Sequence, residues 1–112
     1  MILIDETNLT LKQSLETHEA MCRHMERLME FEGWQLIQRK LEQDMKLALA
    51  QIRTAQTSDA RSVAATGYAT LESVHSMPRD LLLQSSTRMK QIVAQIQHEQ
   101  ENQPKHHRDG RR

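Results

Sequence analysis

His18, Cys22 and His24 are the residues whose types and spacing come nearest to chemistry in this chain. His18 and Cys22 lie one helical turn apart, the spacing at which a zinc pair shares a helix face. A zinc site needs further ligands, and no second pair of Cys or His stands at a matching spacing. The plainer reading is a histidine and a small thiol on a mixed helical stripe. A Cys22 nucleophile with a histidine base lacks any motif for an oxyanion hole or an orienting carboxylate. The carboxylates fall on what read as polar helix faces, and three glycines supply no phosphate-binding loop. His106 and His107, adjacent in a flexible tail, make no defined metal site. The sequence thus predicts no catalytic site, no metal and no cofactor, and points to a protein that acts by contact.

Composition narrows the class. A chain of 112 residues is the size of a single domain and can bury enough surface to fold alone. It has one Phe, one Trp and one Tyr against seven Met, so its core must be aliphatic and thioether. Methionine fills gaps adaptably and suits a partner as well as a core. Fifteen basic residues balance fifteen acidic ones, so no global field draws the chain to nucleic acid or to a membrane. Cys22 is alone, which rules out an internal disulfide and fits a reducing compartment. Met1-Ile2-Leu3-Ile4-Asp5 is too short and too soon acidic for a signal sequence, and no apolar run approaches the ~18 residues that span a bilayer. A soluble protein made in the cytosol is expected.

The elements that must position these residues read as helices. After a short apolar arm, in which Ile2 and Ile4 have no second strand to pair with, Thr7 or Asn8 offers a cap. From about residue 8 to 31, Leu11, Leu15, His18, Cys22, Met25 and Met29 recur at steps of four and three and form one stripe, widened by Met21 and Leu28. Gly33 follows where the stripe ends, as a left-handed helix terminus would require. A second stripe opens on the tryptophan and runs through Trp34, Ile37, Leu41, Met45, Ala48, Ile52 and Ala55, predicting a helix over 34–56. Leu36, Leu47 and Leu49 lie to either side, so this helix is apolar on more than one face.

Thr57-Ser58-Asp59 is the clearest boundary, since all three residues favour caps and turns. A third helix over 60–76 carries Val63, Gly67, Leu71 and Val74, with small residues at Ala64, Ala65 and Ala69 that let a neighbouring backbone approach. Pro78 is at home in a first helical turn, with Ser76 as cap, so a fourth segment over 79–98 is expected, either separate or as the third helix bent at Pro78. Residues 98–112 cannot bury enough to offset the entropy of ordering them and are predicted to form a disordered basic tail. The fold class is all-α: a helical hairpin or a small three- to four-helix bundle with that tail.

The order of motifs carries a resemblance. Phe31-Glu32-Gly33-Trp34, then Leu36 to Leu41 and Asp44 on a long helix, a polar turn, and Gly67-Tyr68-Ala69-Thr70-Leu71-Glu72-Ser73-Val74 running into Met77-Pro78, resembles small helical proteins that tailed bacteriophages encode near their portal and capsid genes. The resemblance covers residues 30 to 83. Ala65, Thr66 and Ala69 stand where charged residues are more usual, the first helix is longer, and the basic tail is extra. The resemblance implies a virion-associated or head-assembly component that acts by protein contact in many copies. Trp34, Ile37, Leu41, Ile52, Leu71 and Val74 would then hold the hairpin. Leu15, Met21, Met25, Leu28 and Met29 would face a partner or a second copy. Lys105, Arg108, Arg111 and Arg112 would touch packaged DNA or an acidic surface, weakly and with strong salt dependence.

Two readings from other classes compete. A small inhibitor or adaptor would lay its Met-rich first helix into a groove of one host or phage protein. A nucleic-acid-binding regulator would use the basic tail, although no helix offers the continuous Arg and Lys face of a recognition helix.

Overall fold

The computed structural model describes residues 4–102, and all regular structure among them is helical. Three helices follow one another: α1 (Leu11–Glu30), α2 (Glu32–Thr54) and α3 (Ser58–Glu101). Thr10 caps α1. Its hydroxyl accepts from the Gln13 amide at 3.1 Å while the Gln13 side chain accepts from the Thr10 amide at 3.0 Å, a reciprocal capping box. The helix therefore starts at Leu11 and not near residue 8. Thr7, one of the two expected caps, instead donates backbone and side-chain hydrogen bonds to Asp5 in a turn before the helix.

Between α1 and α2 a single residue breaks the helix. Phe31 is extended, with φ −70° and ψ 126°, and serves as the last boundary of one helix and the first of the next. The expected left-handed glycine is not there, since Gly33 lies inside α2 and no described glycine has positive φ. What Gly33 supplies is room: a Cβ on it would meet the Phe31 ring at 2.5 Å. The break at Thr57 is as expected. Its hydroxyl accepts from the Ala60 amide at 3.0 Å, and Asp59 places a negative charge in the first turn of α3.

The third and fourth expected helices are one. α3 runs for 44 residues with Pro78 in its interior, and residues 98–101, assigned to the tail, belong to it. A proline inside a helix costs about 3 kcal/mol in isolation, so tertiary packing must hold it, and Pro78 is indeed buried. Residues 103–112, the rest of the expected tail, lie outside the described residues.

α1 and α2 both pack against α3 and run antiparallel to it. His18 of α1 meets Ser85, Cys22 approaches Leu82, and Glu42 of α2 meets His75. Ser85 and His75 are separated along α3 by less than half the distance between His18 and Glu42 in the first arm. The joint at Phe31 must therefore offset α1 from α2, and the offset falls beside Pro78. The result is a hairpin with one broken arm and one continuous arm. It measures 82 × 34 × 20 Å with a radius of gyration of 22.2 Å, against about 13 Å for a compact domain of this length. Among the described residues the helices are arranged as an extended hairpin.

Burial is uneven along this rod. In the half built from α1 and the end of α3, Ser14, His18, Leu81, Ser85 and Ile92 are buried, and the segment before α1 lies across them. In the half built from α2 and the start of α3, the buried residues are Ala48 and Ala64. No helix among the described residues is long and apolar enough to cross a membrane.

Candidate functional site: a polar clasp and an open apolar face

The clasp is built from four residues drawn from two distant parts of the sequence, Glu6 with His18 and Ser85 with Arg88. Glu6, on the segment before α1, reaches both helices of the packed half. Arg88 of α3 donates to it through Nε, at 3.0 Å to Oε2, and through Nη2, at 2.8 Å to Oε1, a two-pronged grip. His18 Nε2 lies 2.7 Å from the same carboxylate, and His18 Nδ1 lies 2.9 Å from Ser85 Oγ. The Arg88 hydrogen bonds first, and His18 second, bring the Glu6 carboxyl from 4.5 down to about 2. Glu6 in turn raises the already high Arg88 pKa. An ionised Glu6 can only accept, so His18 Nε2 carries a proton, and in the neutral ring Nδ1 then accepts from the Ser85 hydroxyl.

This is the order of a hydroxyl, an imidazole and a carboxylate, beside a cavity of about 630 Å³ lined by Ile4, Met21, Leu81 and Arg88 among others. Ser85 sits inside α3, however, where backbone amides are spent on the preceding turn. It has no strand-to-helix elbow and no paired amides to receive an oxyanion. What the arrangement does is satisfy two buried polar side chains and tether the segment before α1.

Cys22 takes no part in it. Its thiol points to the Leu82 carbonyl at 3.9 Å and the Met89 sulfur at 3.7 Å. Burial, then Glu26 and Glu19, raise its pKa, which disfavours the nucleophilic thiolate. His24 is exposed, so His18, Cys22 and His24 do not converge.

The residues expected to hold the hairpin divide. Leu41, Ile52 and Leu71 are half-buried, as is Trp34, whose indole Nε1 is buried with no hydrogen-bond partner among the described residues. Ile37 and Val74 are exposed, Ile37 by 53 %. Two helices side by side cover one stripe each, and these two residues lie at the rim of theirs. The residues expected to face a partner, Leu15, Met21, Met25, Leu28 and Met29, are all half-buried on α1. Lys105, Arg108, Arg111 and Arg112 lie outside the described residues.

The second feature is the open face of the α2/α3 half. A groove of about 740 Å³ runs between the helices, floored by Ala48, Ala64, Gly67 and Leu71 and flanked by Leu47 and Val63. Leu47 is 62 % exposed and Val63 is 74 % exposed. From Ser62 to Leu71, α3 carries no charged residue at all, although 27 % of the chain is charged. The small residues of α3 expected to admit a neighbouring backbone divide here: Ala64 is buried, and Ala65, Gly67 and Ala69 are exposed. No protein-family model, curated protein or solved structure matches the chain.

Proposed function

We propose that this protein is a non-enzymatic structural or assembly component that works through helix–helix contacts, and that the α2/α3 half is its contacting part. The observation that supports the reading is the contrast in exposure. Among the described residues the α2/α3 half buries Ala48 and Ala64 and exposes Leu36, Ile37, Leu47, Leu49, Val63 and Val74, whereas the other half buries Leu81 and Ile92 and exposes Leu9, Leu83 and Val93. An apolar surface so placed is characteristic of an interaction site. In its finer form the reading is the one the bacteriophage resemblance implies, a head-assembly part present in several copies. On this reading the contact surface lies on the far half of the hairpin, beyond the α1 methionines, which are half-buried.

The double variant Leu47→Lys/Val63→Lys tests this. Surface kept for contact is expendable to the fold, so helicity by circular dichroism and the melting temperature of the dilute chain should match the unaltered protein. Collapse of helicity in the variant would make the face part of the protein's own core and end the reading.

A further inference from the structure

Resting on that contact reading, we propose that the occupant of the α2/α3 groove is a second copy of the same chain, paired about a two-fold axis so that two hairpin halves close into a four-helix bundle. Four observations lead there.

Size is the first. From Leu36 to Ala55 the open face runs along about 30 Å of α2, and two helices are about 20 Å across. The face therefore offers about 600 Å² per copy and about 1,200 Å² for a pair, at the lower end of the range of a stable, specific interface.

Shape is the second. A two-fold interface must be complementary to itself, and this face carries both parts: ridges at Leu47 and Val63 and a groove floor at Ala48, Ala64 and Gly67.

Gly67 is the third. It lies in the interior of α3 without positive φ, and a Cβ added there would meet nothing within 4 Å. Glycine inside a helix is destabilising relative to alanine, and nothing among the described residues requires it. Close approach of another backbone at this point would.

Charge is the fourth. Lys40 and Asp44 at the α2 side of the face pair with each other at 2.9 Å, and the α3 side is uncharged from Ser62 to Leu71. Two copies therefore meet without opposing like charges across the groove.

The test is the mass of the full chain by light scattering and sedimentation over a wide concentration range, in low and high salt, for the unaltered protein and three variants. The unaltered chain should form a dimer that high salt does not dissociate. Gly67→Ala should raise the melting temperature of the dilute monomer yet weaken pairing about tenfold or more, a split that a purely structural glycine does not produce. Val63→Lys should give a helical monomer, and Val93→Lys, at the other end of α3, should still pair. A chain that stays monomeric while Val63→Lys remains helical overturns self-pairing and leaves the contact reading standing. Pairing as tight in Val63→Lys and Gly67→Ala as in the unaltered chain also overturns it. An unfolded Val63→Lys overturns the contact reading itself, and self-pairing with it.

Discussion

Glu6 is bonded at once to a guanidinium and an imidazole, and its ionisation is the condition for both bonds. Its pKa of about 2 in the folded chain lies below the 4.5 of an unperturbed glutamate, so the stability it contributes is fully present above about pH 4.5. That contribution is lost as pH falls through the interval toward 2. Hydrogen exchange of residues 4–10, followed down through that interval, should report release of the segment before α1. Glu6→Gln should remove that pH dependence and cost about 1–2 kcal/mol at neutral pH, read from thermal melting. Trp34 makes the opposite point, since its ring is useful and its N–H is stranded. Trp34→Phe trades some apolar area against relief from an unpaired buried donor, so it should change stability by less than about 1 kcal/mol in melting experiments. None of the clasp was legible by motif, because Glu6, His18, Ser85 and Arg88 are ordinary residues and a long stretch of chain separates the first two from the last two. One signal was present all the same: His18 falls on the apolar stripe of α1, and a polar side chain on a buried stripe needs a partner.

At the scale of the elements, apolar periodicity located α1 and α2, and three turn-favouring residues located the start of α3. Besides the start of α1 and the end of α3, two boundaries differ from the expected ones because a sound local rule lost to packing. Gly33 has the chemistry of a helix terminus, but the break moved to Phe31, where an extended residue offsets two helices that both lie on α3. Pro78 has the chemistry of a helix start, yet its burial beside that offset keeps α3 continuous. The same stripes could not tell a closed bundle from an open hairpin, since the rim positions Ile37 and Val74 repeat at the same spacing as the core. The elements should differ accordingly in sensitivity. Ile92→Ala, at a position with 0 % exposure, should cost about 2–5 kcal/mol. Val63→Ala, on the open face, should stay within about 0.5 kcal/mol in the dilute chain. Denaturant unfolding of the two variants measures both.

For the molecule as a whole, the division into a packed half and an open half has a kinetic side. The short turn at Thr57 brings α2 and α3 together with little chain to close, but those contacts bury little. The better-packed contacts join distant parts of the sequence, with Glu6 and Arg88 82 positions apart, and their loop can be closed cheaply only after the hairpin has formed. The clasp should therefore be absent from the folding transition state. In stopped-flow measurements Glu6→Gln should raise the unfolding rate and leave the folding rate nearly unchanged. By the same reasoning the chain should zip from its hairpin tip toward α1, with the segment held by Glu6 the last to join and the first to leave.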